Sequence, residues 1–260
     1  MSVAVSIEGL VKRYRAGIAG CGAEVHALSG VDLTIREREV LGILGPAGAG
    51  KSTLLLCIAG LLRPDGGTIT WFEHTKAAQL PPPGIAYAPE RAVHYSFLTV
   101  RESLEYHATL QDLPGARGRI EDAMHASALA GQAHRRVALL SRGMRQRLEI
   151  ARALLAQPRL LLLDEPLADL EPAARRTNRE ILRSLAGRGV TLVVATRERF
   201  GLDDIATRLV TMSGGRIRGE LSVPDRSAGP GSSIDEPDQC VSAPSRRSIV
   251  PAAPVSEGVR

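Results

Sequence analysis

The nine residues Gly45, Pro46, Ala47, Gly48, Ala49, Gly50, Lys51, Ser52 and Thr53 constrain this chain more than any other stretch. They fit G-x-x-x-x-G-K-[ST], and the flanks suit the motif. Residues 40–44 (VLGIL) form a short apolar run that reads as a buried strand. Ser52 to Leu62 is leucine-rich, lacks proline and reads as a helix with an apolar face. A strand, a glycine-rich turn and a helix in that order build a phosphate site. The glycines let the backbone curl so that successive N–H groups point inward, and the helix adds its positive N-terminal end. Lys51 is placed to reach the β- and γ-phosphates, and the Ser52 hydroxyl to hold Mg²⁺. The chain is expected to bind a nucleoside triphosphate.

The 260 residues are enough for one large domain or two small ones, and the composition is that of a globular protein. No apolar run approaches the roughly 18 residues needed to span a bilayer. The first residues lack a basic segment followed by an apolar one, so no secretory signal is expected. Cys21, Cys57 and Cys240 are too scattered for a zinc pair or a disulfide framework, which with ATP chemistry points to the reducing cytosol. Cys57 falls on the apolar helix and reads as core rather than reactive. The formal charge of +5 comes almost wholly from arginine. The arginines are dispersed, and aromatic residues make up only 3% of the chain, so nucleic acid is not an expected partner.

Along the chain, residues 3–7 alternate and read as a strand, followed by Leu10 to Tyr14; Arg15 to Gly22 is a glycine-rich loop. Val25 to Ile35 reads as a further strand pair, and residues 36–39 as a polar turn. The sequence RPDGG (63–67) is a turn signal before a strand at 68–72, and Ile85 to Ala88 is another short strand. Then the character changes. Thr99 and Glu102 fit a capping box opening a helix to about Leu113, with Val100, Leu104 and Ala108 on one face. A second helix is expected over Arg119 to Leu129, so that residues from 90 to about 140 form a helical insertion in an α/β domain. Leu140 begins a helix to Ala156, and Leu160 to Leu163 reads as a central parallel strand ending in Asp164 and Glu165. Glu180 to Leu185 belongs to a helix and Val190 to Ala195 to a buried strand; Leu209 to Met212 and Arg216 to Leu221 read as a closing hairpin. From about Ser222 six prolines and eight serines recur without period, which reads as a disordered tail over 222–260.

Four stretches now line up: the phosphate loop, Pro89 and Glu90, Leu140 to Met144 (LSRGM), and Leu160 to Leu170. Together they resemble the ATP-binding cassette (ABC) ATPases, over roughly residues 3 to 221. The segment LSRGMRQRLEIARALLAQPRLLLLDEP, Leu140 to Pro166, is similar to the family's signature helix running into its Walker B strand. The resemblance implies a P-loop NTPase core of parallel sheet with an antiparallel β-subdomain and a helical insertion subdomain. It implies ATP and Mg²⁺ as cofactors, with Asp164 organising the ion beside Ser52 and Glu90, and Glu165 as general base. Tyr14 matches the aromatic that stacks on adenine. Ser141 and Gly143, at a helix N-terminus, make a second anion site that closes over the γ-phosphate held by another cassette. The implied assembly is a head-to-tail dimer, homo- or heteromeric, on a separate transmembrane permease at the inner face of the cell membrane. Tyr95 to Leu98, at the entrance of the insertion, stands where the family receives a coupling helix.

The chain departs from the family pattern at Ala47, where asparagine is common, at Glu90 in place of the lid glutamine, and at Arg142 and Met144 in the signature. Glu171 ends the D-loop one methylene longer than the usual aspartate. After Thr196, where the family has its switch histidine, stands Arg197, and the last histidine in the chain is His134. Arginine brings charge to the γ-phosphate but not the same hydrogen-bond geometry. Either Arg197 substitutes adequately, or ATP binding is intact and hydrolysis impaired, as in a sensing module that pumps nothing or the degenerate half of a heterodimeric pair. The LSRGM form and Glu90 resemble exporter-type members.

Overall fold

A computed structural model describes residues 2–15, 24–72, 82–91, 94–199, 201–221 and 223. The expected loop at 15–22 beyond Arg15, the tail from 224 onward, and Cys21 and Cys240 lie outside the described residues. Among the described residues nine strands and five α-helices follow in the order β1 (Val3–Arg15), β2 (Glu24–Arg36), β3 (Val40–Leu44), α1 (Lys51–Ile58), β4 (Gly66–Trp71), β5 (Ile85–Ala88), α2 (Val100–Leu110), α3 (Ala116–Ala126), α4 (Arg142–Leu154), β6 (Leu160–Asp164), α5 (Pro172–Gly187), β7 (Thr191–Thr196), β8 (Arg208–Ser213) and β9 (Arg216–Leu221). Among the described residues no helix is long and apolar enough to cross a membrane.

Two sheets result. The larger runs β5-β6-β7-β3-β8-β9, parallel from β5 to β8 with β9 antiparallel at the edge. The smaller, β2-β1-β4, is antiparallel throughout. The leucine run of β6 explains why the sequence shows no alternation there. Leu160 and Leu162 point into one core and Leu161 and Leu163 into the other, so both faces are covered and every position is apolar. β7 does the same, with Val193 and Ala195 on the first side and Leu192 and Val194 on the second. The first core lies between the two sheets around α1, where Trp71 Nε1 donates to the Ile58 carbonyl at 2.9 Å. The second core is closed by α5 and one face of α4. The helical insertion has a third core of its own, built from α2, α3 and the other face of α4.

Several expected boundaries move. Residues 25–35 form one strand rather than a pair. Gly30, at φ 79°, is the extra residue of a bulge between the pairs Leu10–Val31 and Val11–Ser29, not the corner of a turn. α1 stops at Ile58 instead of Leu62, because Gly60 turns left-handed at φ 68°. α4 starts one residue after Ser141, whose Oγ accepts from the Met144 N–H, and ends at Leu154. α3 runs three residues earlier than expected. The capping box of α2 is complete: Thr99 Oγ1 accepts from Glu102 N–H, and Glu102 Oε2 accepts from Thr99 N–H.

Candidate functional site

The phosphate loop joins β3 to α1 at the C-terminal edge of the parallel sheet, beside β7 and β6. Gly45 N–H donates to the Thr196 carbonyl at 3.2 Å, tying the loop's start to the end of β7. Gly50 has φ 100°, and a Cβ there would fall 2.3 Å from the Ala27 carbonyl, so the second glycine of the motif is required by both backbone and space. Lys51 is buried, and its Nζ donates to the carbonyls of Gly45 at 2.7 Å and Pro46 at 3.1 Å. The loop thus holds its own ammonium at the mouth of the nest.

A cleft of about 380 Å³ opens over the loop. Ala47 to Thr53, Glu90, Glu165 and Arg197 line it, with Val25, His26 and Ala27 of β2 on the far side. Glu165 is the best-held group in it. Its side chain is 6% exposed, Lys51 Nζ and Arg197 Nε stand 3.7 and 3.2 Å from Oε1, and Oε2 accepts from the Thr196 hydroxyl at 3.0 Å and the Arg197 N–H at 3.2 Å. Arg197 Nη2 also lies 4.0 Å from Glu90 Oε1, so one guanidinium spans both acids. Thr196 as a ligand of Glu165 is not visible in the sequence, since the two sit 31 positions apart and meet only because β6 and β7 are neighbours.

Asp164 lies just behind, nearly buried. Burial raises its carboxyl above the ordinary range, and hydrogen bonds from Ser52 and Tyr87 only partly offset this. Tyr87 is itself pushed up by burial and by the adjacent Asp164, so its hydroxyl remains a donor to Oδ2 at 3.3 Å. Oδ1 has no partner although it is buried. An orphaned acid oxygen beside the Ser52 hydroxyl, with Glu90 across the cleft, fits Mg²⁺, a hard cation that takes oxygen ligands. Among the described residues no cluster of three or more His, Cys, Asp or Glu could hold a metal ion by itself.

The remaining expected residues are elsewhere. Tyr14 is exposed and off the cleft wall, but it pairs across the sheet with Val25, which lines the cleft. Gly45 and Pro46 do not line the cleft; their carbonyls accept from Lys51 Nζ. Ser141 and Gly143 do not line the cleft; Ser141 is the exposed N-cap of α4 and Gly143 is buried in its first turn. Gly143 is packed so tightly on α5 that a Cβ would stand 2.7 Å from that of Ala174. Arg142 pairs with Asp169 at 2.9 Å, and Glu171 occupies the N-cap position of α5 without making a cap bond. Tyr95 and Phe97 are exposed, with Tyr95 edge-on to Tyr106 at 5.3 Å between centroids.

Residues 28–168 match the sequence profile of the ABC transporter family. A fluoroquinolones export ATP-binding protein of Mycobacterium tuberculosis is 35% identical over 215 residues, 82% of this chain and 69% of that protein. A sulfate/thiosulfate import ATP-binding protein of Mycolicibacterium paratuberculosis is 33% identical over 220 residues, 83% of this chain and 58% of its own. Among solved structures, the dimeric post-hydrolysis state of an ATP-binding cassette bound to ADP and Pi superposes with a TM-score of 0.74 at 25% identity, covering 85% of this chain and 99% of that one.

Proposed function

The chain belongs to the ABC transporter family as an ATP-binding cassette, and from that premise we propose that it drives a separate membrane permease with a hydrolysis step that Arg197 slows. In this reading Lys51 and the loop N–H groups from Ala47 to Thr53 bind the phosphates, while Tyr14 meets the adenine from the β2 side. Ser52, Asp164 and Glu90 hold Mg²⁺, which when bound offsets the charge developing on the phosphates. Glu165 takes the proton of the attacking water. Ser141 and Gly143 complete the site of a second cassette, homologous or identical, and the exposed Tyr95 and Phe97 receive the permease. The cassette then works at the inner face of the membrane.

The observation that carries the reading is the contact between Arg197 and Glu165. A base with a guanidinium 3.2 Å from one oxygen and two donors on the other is well positioned but already engaged. Water must displace the arginine before it can be deprotonated. The test is steady-state ATP hydrolysis by the full chain and by Arg197→His, with Glu165→Gln as background. Since general-base catalysis contributes on the order of 10² to 10⁴, relieving part of the block should raise turnover by about tenfold. A histidine variant no faster than the unsubstituted chain sinks the slowing.

The same ion pair supports a second reading, an ATP-sensing module or the weak half of a heterodimeric pair. Tight ATP-driven dimerisation without turnover, even beside a permease, favours it. The relatives' names cover both export and import. Glu90 and the LSRGM signature favour export here, and ATP-dependent cargo movement in vesicles made with the co-purified permease decides the direction.

A further inference from the structure

Residue 178 is out of keeping with the helix that carries it. The buried side of α5 consists of Asn178, Ile181, Leu182 and Leu185, spaced i, i+3, i+4 and i+7, so an apolar side chain is expected at the first of these positions. Asn178 is nonetheless fully buried there. Its Nδ2 donates to the Pro166 carbonyl at 3.3 Å, 12 positions earlier, while its Oδ1 is buried with no partner. A carbonyl can only accept, so the amide must turn its nitrogen to Pro166 and leave its oxygen unmatched. An unpaired oxygen in the interior costs stability, and leucine would fill nearly the same volume without carrying one. That cost is accounted for by what the amide nitrogen holds.

Pro166 is buried and directly follows Glu165. Glu165 stands at φ 49°, in the left-handed region, and the proline after it narrows its choices further. Upstream, the turn is tied by the Glu165 N–H, which donates to the Ala195 carbonyl at 2.8 Å. Downstream it cannot be tied in the same way. Proline has no N–H, so the Pro166 carbonyl is the backbone group left to hold. Asn178 holds it from a helix that is fixed in the core by Ile181, Leu182 and Leu185. We propose that Asn178 is a positioning residue for ATP hydrolysis: its amide pins the turn at Pro166 and so keeps the strained Glu165 aimed at the attacking water. The inference rests on the reading above that Glu165 is the general base. With the carbonyl released, the Glu165 backbone relaxes towards commoner conformations and the carboxylate leaves its place, while the phosphate loop is untouched.

The experiment measures single-turnover hydrolysis of γ-labelled Mg-ATP with the full chain in excess, together with Mg-ATP affinity and Tm. Asn178→Leu exchanges one unpaired buried oxygen for another and adds apolar burial, so its Tm should not fall. Its turnover should drop at least about tenfold, since a misplacement of about 1 Å can cost about 10². Its Mg-ATP affinity should stay within about twofold of the parent, as for a group that acts only on the chemical step. Asn178→Ala makes the same cut but leaves a cavity, so it should lower Tm and lose turnover by the same factor. Leu185→Ala, on the same stripe, should lower Tm and keep turnover. Either Asn178 variant within about threefold of the parent's turnover overturns the proposal, as does a loss that follows Tm across the three variants or one matched by Mg-ATP affinity. Trapping of Mg-ADP with vanadate reads the same geometry without turnover. Affinity for the trapped state should fall in Asn178→Leu, and unchanged trapping overturns the positioning role. Glu165→Gln separates the two levels. If the parent is no faster than Glu165→Gln, the general-base reading falls and this inference with it; if the parent is faster and Asn178→Leu keeps pace with it, only the inference falls.

Discussion

Glu165 adopts φ 49°, a region costly for a residue with a Cβ, and its N–H is held by the Ala195 carbonyl at 2.8 Å. Such strain persists only where the surroundings fix it, and here Thr196, Arg197 and Lys51 all converge on the one side chain. The position of the acid was legible in the sequence, because a leucine run ending in Asp-Glu is a local pattern. Its partners were not, since strand order brings together residues that no spacing rule connects. Cys57 shows the opposite case. Its place on the apolar stripe of α1 was enough to read it as core, and burial pushes its thiol up to about 11. The thiolate is the reactive form, so Cys57 should resist iodoacetamide at about pH 8 in the native protein and label only after denaturation. Mass spectrometry of the tryptic peptide checks this, and rapid native labelling would contradict the burial.

At the scale of elements, what could be read was whatever a helix or strand states within a few residues. The α2 capping box needs only Thr99 and Glu102, and it forms as read. The strand pair expected over Val25 to Ile35 failed because a glycine at φ > 0 serves equally for a turn or a bulge, and only the pairing of the partner strand decides between them. α5 opens with Pro172 at its first position but has an N-cap, Glu171, whose side chain makes no cap bond. The shorter aspartate is among the preferred caps, so Glu171→Asp should stabilise the chain by about 0.5 to 1 kcal/mol. For a domain of this size that is an upward shift in Tm of about 2 °C by thermal unfolding. An unchanged or lower Tm would show that the loop after β6 does not let the carboxylate turn back on the helix.

Over the whole molecule, the proposed function gives the chain two anion-binding ends, the phosphate loop and the N-terminus of α4, and among the described residues only the first lines the cleft. That arrangement asks for a second copy or a homologue. Glu165→Gln with Mg-ATP should therefore sediment as a dimer, and adding Ser141→Arg should leave a monomer whose ATP affinity changes by no more than about threefold. A monomer in both cases, or lost binding in the second, would count against the composite site. The helix that carries Ser141 has a further property. Leu148, Ala151 and Leu155, on or just beyond α4, pack into the core of the insertion, while Ile150 and Ala153 pack into the core behind the parallel sheet, with Leu154 touching both. α4 is thus a party wall between two cores, and neither can shift without leaning on it. In the proposed assembly a torque applied at Tyr95 and Phe97 would be delivered along this axle to the end proposed to meet the other cassette's phosphate, and the helix would serve as a drive shaft as well as a binding site.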